Sequence, residues 1–140
     1  MLFDPNNKIV QLCSHGMILE GEGKKAEAKQ LFQDAWEKAV TDSEKFTAAH
    51  YLARKQNSVE EKLKWDMTAL EFALKVKDDE MKSAYPSLYL NIGKCYEDMN
   101  DIENAKNYYL LAESYISYLQ EDGYGNMMRA GIKNALERVA

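Results

Sequence analysis

The chain has 140 residues, 46% of them hydrophobic and 29% charged, with two prolines, two cysteines and a formal net charge of −5. That length suits a single domain, able to bury a core without metal or disulfide staples, and the composition excludes disordered, collagen-like and disulfide-scaffold classes. Ala, Glu, Lys, Leu and Arg supply 61 residues against 14 for Val, Ile and Thr, which favours helices over a sheet, and the acidic balance argues against nucleic acid as a partner.

Asp4-Pro5 predicts a helix start, since Asp caps free amides and Pro suits the first helical position. Apolar residues then recur at Ile9, Leu12, Cys13, Gly16 and Leu19 with helical spacing, up to the turn Gly21-Glu22-Gly23. A second helix places Ala28, Leu31, Phe32, Ala35 and Ala39 on one face. Thr41-Asp42-Ser43 ends it and caps a third, with Phe46, Ala49, His50, Leu52 and Ala53. Ser58, three residues before Glu61, signals the N-terminus of a fourth, with Val59, Leu63, Met67, Leu70 and Leu74. Asp78-Asp79 opens a short segment running into Pro86, where a helix must start or kink. From there Tyr89, Ile92, Gly93 and Tyr96 form one apolar set and, after the turn at Asn100-Asp101, Ala105, Tyr109, Ala112 and Ile116 form the next. Gly123-Tyr124-Gly125 predicts a break before a last helix at 126–140, carrying Met128, Ile132, Ala135, Leu136 and Val139. The reading is all-α, with seven helices in antiparallel pairs.

No apolar run approaches the roughly 18 residues of a membrane helix, and the N-terminus lacks the pattern of a signal peptide. Cys13 and Cys95 read as buried thiols of a reducing compartment, and the cytoplasm is the expected location. His15 and His50 have no Cys, Asp or Glu at zinc spacing, so no metal is expected; His15 reads as structural. Gly21-Glu22-Gly23-Lys24-Lys25 lacks the spacing of a phosphate loop and reads as a turn. No cofactor motif is present, and no nucleophile, base and orienter form a supported catalytic set. Of the nine tyrosines, Tyr89, Tyr96 and Tyr109 fall at core positions. Tyr51, Tyr85, Tyr108, Tyr115, Tyr118 and Tyr124 are not all accounted for by packing, and exposed aromatics suit protein recognition.

The pairs repeat. Gly16 is followed by Ala28, Phe32 and Ala35 at offsets of 12, 16 and 19, and Gly93 by Ala105, Tyr109 and Ala112 at the same offsets. A small residue on the first helix admits the second, small residues on the second let it pack back, and the aromatic fills the space between. This pattern resembles the tetratricopeptide repeat, with a period of about 34 residues. The resemblance is strongest from Pro86-Ser87-Leu88-Tyr89-Leu90-Asn91-Ile92-Gly93-Lys94-Cys95-Tyr96 through Ala112. The strings at 50–56 and 85–91 look like those of small stand-alone bacterial members.

The resemblance implies an α-α superhelix in one domain, 1–140: a repeat at about 8–41, a divergent one at about 43–77, a third at about 86–119 and a capping helix at 126–140. The two glycines lie 77 residues apart, against about 68 for two ideal repeats, so the middle unit is stretched, at Gln56-Asn57-Ser58 and around 77–85. It also implies a non-enzymatic module that binds a protein or peptide on the concave surface lined by the first helix of each pair. Projected groove positions are Val10, Cys13, Met17 and Glu20; His50, Tyr51, Arg54 and Lys55; and Tyr85, Ser87, Leu90, Asn91, Lys94 and Glu97. Cys13 and Met17 stand where the family's carboxylate-gripping groove uses Lys and Asn, which argues against that mode. Two other readings stay open: a homo-oligomeric structural or regulatory subunit, a homodimer for instance through the last helix, and an enzyme with a pocket around His50, Arg54, Tyr85 and Asn91.

Overall fold

A computed structural model describes residues 4–140, and these form seven α-helices with no strand. They divide into two compact units, Met1–Lys77 and Asp78–Ala140. The first holds α1 (Lys8–Gly21), α2 (Lys25–Lys38), α3 (Asp42–Ala53) and α4 (Val59–Lys75). The second holds a 3₁₀ turn (Asp79–Ala84), α5 (Tyr85–Asp98), α6 (Ile102–Ser114), a second 3₁₀ turn (Ile116–Tyr118) and α7 (Gly123–Arg138).

In the first unit α1 pairs with α2 and α3 with α4, while α1 and α2 both pack on α3. The first core joins Ile9 and Cys13 of α1, Ala28, Phe32 and Ala35 of α2, and Ala48 and Leu52 of α3. Gly16 sits directly under Phe32: a Cβ added there would lie 2.4 Å from the ring. Burying a ring of this size contributes about 2–3 kcal/mol. On the far side Trp36 meets Trp65 edge-on at 5.1 Å and Phe72 at 6.1 Å, joining α2 to α4.

In the second unit α5 pairs with α6, and α7 packs on both. Gly93 sits under Tyr109 as Gly16 does under Phe32, with a Cβ position 2.6 Å from the ring. Ala105, Tyr109, Ala135 and Val139 form a core flanked by Leu90, Tyr96 and Leu136.

The first α-helix starts later than Asp4-Pro5 predicts. The Asn7 side chain accepts the amides of Ile9 and Val10 at 2.8 and 3.2 Å and donates to Glu44 at 2.8 Å. Glu44 in turn closes a capping box with Thr41 at the head of α3. Asn7 is therefore fixed from both sides and takes the cap, while Asp4 accepts the Asn6 and Asn7 amides in a preceding turn.

The last helix starts earlier than 126. Asp122 caps it by accepting the Gly125 amide at 2.7 Å, so both glycines lie inside the helix. Gly125 is needed for close approach, because a Cβ there would lie 1.9 Å from the Gln120 carbonyl oxygen. Arg129 holds the same corner through the Leu119 and Gln120 carbonyls. The stretched region at 77–85 contains the first 3₁₀ turn, capped by Asp78 on the Glu80 amide.

Candidate functional site

The projected groove residues divide between the units. In the first, the last turn of α3 carries His50 and Tyr51, and Arg54 and Lys55 follow in the turn beyond it. Tyr51 stacks on Phe32 at 5.3 Å, and the Arg54 guanidinium lies over the Tyr51 ring at 5.7 Å. Arg54 donates to Glu20 of α1 at 2.6 Å, and Lys55 pairs with the other oxygen of that carboxylate. The Lys55 hydrogen bond, with the charge of Arg54 and Lys55, holds the Glu20 carboxyl below its ordinary range.

His50 is packed between Phe46, stacked at 5.9 Å, and Tyr51, edge-on at 5.4 Å. Its Nδ1 is buried without a hydrogen-bond partner. Burial, reinforced by Arg54 and Lys62, pushes its pKa down to about 4. An imidazole of this basicity, with no hydrogen bond to orient its Nδ1, is a poor general base at neutral pH.

In the second unit Tyr85 is buried in a ring cluster. It meets Tyr115 at 5.0 Å and Tyr89 at 6.1 Å, and the chain of rings continues through Tyr108 to Tyr96 and through Tyr115 to Tyr118. Packing thus accounts for Tyr108 and Tyr115 and holds the two projected groove tyrosines, Tyr51 and Tyr85, in ring clusters, while Tyr118 and Tyr124 are exposed. Ser87 donates to the Ala84 carbonyl at 3.3 Å. Ser87 and Asn91 are half-buried, and Lys94 is exposed beside Asp98 at 2.6 Å. The spacing of Ser87, Asn91, Lys94 and Asp98 puts them in one polar stripe along α5.

The projected positions therefore separate into two sets. Cys13 is buried in the core with α3, and Glu20 is spent on Arg54 and Lys55. Leu90 lies against α7, 3.6 Å from a Cβ position at Gly131, and Glu97 is held by Arg138 at 3.1 Å. These four join one repeat helix to the next. Met17 and Lys94 stay exposed, and Val10 and Ser87 half-exposed. The cysteines are free and buried, and burial raises the Cys13 thiol to about 12.

Two hollows lie in the first unit, and only Arg54 and Lys55 of their lining were projected as groove residues. One, of about 780 Å³, runs between α1 and the α2–α3 turn over Ile9, Leu12, His15 and the exposed Val40. His15 stands exposed on its wall, outside the core, because it lies about 100° around α1 from the buried Gly16. The other, of about 390 Å³, is lined by Lys25, Ala26, Lys29, Arg54, Lys55, Gln56 and Asn57. Its lysines sit four residues apart on α2, a spacing visible in the sequence but not distinguishable there from an ordinary solvated face. Trp36, Trp65 and Phe72 were missed because each is only half-buried and none falls on the small–aromatic–small pattern.

Among the described residues no three His, Cys, Asp or Glu side chains converge on a metal position, and no helix is long and apolar enough to cross a membrane. The tetratricopeptide repeat family matches residues 86–117. No curated protein and no solved structure matches the chain.

Proposed function

Because the chain carries a tetratricopeptide repeat, at residues 86–117, we propose that it is a non-enzymatic interaction module of the cytoplasm that binds a protein or peptide through the first helices of its hairpins. One observation carries this reading: within the matched repeat, α5 keeps a polar stripe of Ser87, Asn91 and Lys94 that the tyrosine cluster and α7 leave accessible. Polar groups set on a rigid helix give register, and flanking apolar surface gives affinity. In the first unit Val10 and Met17 offer the corresponding positions, with His50, Tyr51, Arg54 and Lys55 forming the rigid edge of α3.

The depressed basicity of His50 supports the non-enzymatic reading. The homo-oligomeric alternative keeps one observation in its favour, the exposed Leu110 and Leu111 on α6; light scattering over a range of concentrations separates it, since a constant monomer mass removes it.

The test is co-purification from the native cell with wild type and an Asn91→Ala, Lys94→Ala double variant, helix content being checked by circular dichroism. A partner retained by wild type and lost by the folded variant supports the proposed surface. An identical partner set for both removes it.

A further inference from the structure

We propose that the basic hollow at the head of α2 receives an acidic peptide segment, its side-chain carboxylates held by Lys25 and Lys29. This rests on the interaction-module reading and names the chemistry of a partner.

The charge is concentrated against the trend of the chain. The protein carries −5 overall, yet four cations, Lys25, Lys29, Arg54 and Lys55, line this one hollow. Arg54 and Lys55 are tied to Glu20, which fixes their positions and leaves their combined charge only half neutralised. Lys25 and Lys29 have no ion-pair partner among the described residues; Lys25 contributes only a longer-range attraction to Glu20. One carboxylate against four ammonium and guanidinium groups leaves a surplus of three positive charges around a cavity of about 390 Å³. A cleft lined by one sign of charge concentrates ligands of the other.

The second unit shows what the same position looks like without this role. Shifted by 77 residues, Lys24 and Lys25 become Asp101 and Ile102, and Lys29 becomes Lys106. Asp101 supplies its own carboxylate to the head of α6, accepting the Asn104 amide at 3.2 Å. At α2 the cap residue is Lys24, and no side chain caps the helix. The cap carboxylate that the second unit supplies internally is absent from the first, where Lys25, Lys29, Arg54 and Lys55 line the adjoining hollow instead.

The occupant is a short acidic segment rather than a nucleic acid. A long polyanion would meet the repulsion of the remaining negative surface, whereas a few carboxylates engage the hollow locally. Lysines are compact, separately movable charges, suited to carboxylates at varied spacing. Inorganic phosphate offers comparable charge without a peptide, and the experiment separates the two.

Fluorescence anisotropy with labelled hexaglutamate, with hexaglutamine as the neutral probe, tests the site on the full chain. Three proteins are compared: wild type, a Lys25→Gln, Lys29→Gln double variant, and Lys106→Gln as the equivalent change in the second unit. Wild type and Lys106→Gln are expected to bind hexaglutamate alike. The double variant is expected to bind about tenfold more weakly, the ratio that about 1.4 kcal/mol represents, with an unchanged circular dichroism spectrum. Equal binding by all three proteins, or equal binding of hexaglutamine, overturns the site. Inorganic phosphate binding with the same lysine dependence, and no hexaglutamate binding, overturns the peptide assignment. Should the site fail while partner capture through Asn91 and Lys94 persists, the interaction reading stands and only the hollow is lost. Lysine-dependent hexaglutamate binding without any Asn91- and Lys94-dependent capture supports the hollow and removes the α5 surface.

Discussion

Helices α1–α3 and α5–α7 solve one packing problem with different side chains. Glycine admits the facing aromatic in both, Gly16 under Phe32 and Gly93 under Tyr109. A Schellman turn ends the first helix of both: Lys24 and Gly23 donate to the Leu19 and Glu20 carbonyls, and Asp101 and Asn100 to those of Tyr96 and Glu97. The left-handed residue is Gly23 in one and Asn100, with φ of 64°, in the other. Both then place a glutamate in the last turn that binds an arginine at the C-terminal end of the helix two further along, Glu20 to Arg54 after α3 and Glu97 to Arg138 of α7. The difference lies in the third group on that carboxylate. Tyr109 donates its hydroxyl to Glu97 at 2.7 Å. Phe32 has no hydroxyl, and Lys55 occupies the corresponding role on Glu20. The third partner thus differs with the ring: the Tyr109 hydroxyl serves Glu97 where Lys55 serves Glu20.

The largest effect comes from removing the ring. Phe32→Ala should cost about 3–5 kcal/mol, the range for deleting a large buried aromatic. Tyr109→Ala should fall at or above the same range, since it also takes a donor from Glu97. Urea denaturation of each variant checks this. A Tyr109 cost well below that of Phe32 would show that the hydroxyl bond to Glu97 adds nothing to the burial of the ring.

Acid separates the units next. Both histidines, His15 and His50, belong to the first. The folded pKa of His50 is about 4, below its ordinary 6.5. Between those values the unfolded chain binds a proton that the folded chain refuses, so stability is complete above about pH 6.5 and declines as pH falls toward 4. The limit of the loss is on the order of 3 kcal/mol, from about 1.36 kcal/mol per pKa unit. Denaturation at pH 7 and pH 4.5 should show this dependence in wild type and a smaller one in His50→Phe, which keeps a ring against Phe46 and Tyr51. An unaltered acid dependence in the variant would place the effect on carboxylates such as Glu20, Glu44 and Glu97, which also weaken on protonation.

The helices and the repeat were legible because both follow from local rules. Apolar spacing marked all seven helices, and the offsets from Gly16 and Gly93 marked the residues that fill the space between them. Boundaries failed where a distant partner decided them, as Glu44 does for Asn7 and the Gln120 carbonyl does for Gly125. The groove projection was legible only in part for the same reason. Helical spacing puts Cys13, Glu20, Leu90 and Glu97 on the expected face, but whether that face is open depends on α3 and α7 lying against it. His50 is the third case. One ideal period of about 34 residues after Gly16 falls on His50, in the pair that departs furthest from the repeat pattern. Its aromatic partner position holds Leu70, a smaller side chain, in this divergent pair. Sequence projected His50 onto the groove; only the packing of Phe46 and Tyr51 around it shows that its ring is held between them.

The smallest expected effect tests the comparison most directly, because it transplants one residue. Lys24 and Asp101 precede α2 and α6 at equivalent positions, with nearly the same backbone: φ −87°, ψ 63° and φ −94°, ψ 78°. Asp101 therefore shows that this conformation can direct a carboxylate at the free amides of the following turn. Lys24→Asp should place one at the head of α2 and stabilise the first unit by about 0.5–1 kcal/mol, through capping and the helix dipole. Lys24 gives up only an exposed ion pair with Glu22 at 3.7 Å, an interaction whose usual contribution is under about 1 kcal/mol. Asp101→Ala should cost the second unit a similar amount. Opposite signs for the two substitutions in thermal denaturation are the expected result. If Lys24→Asp destabilises, the head of α2 differs from that of α6 in more than its cap residue. The same substitution should also weaken hexaglutamate binding, since the introduced carboxylate would offset part of the positive charge that the hollow offers to an incoming one.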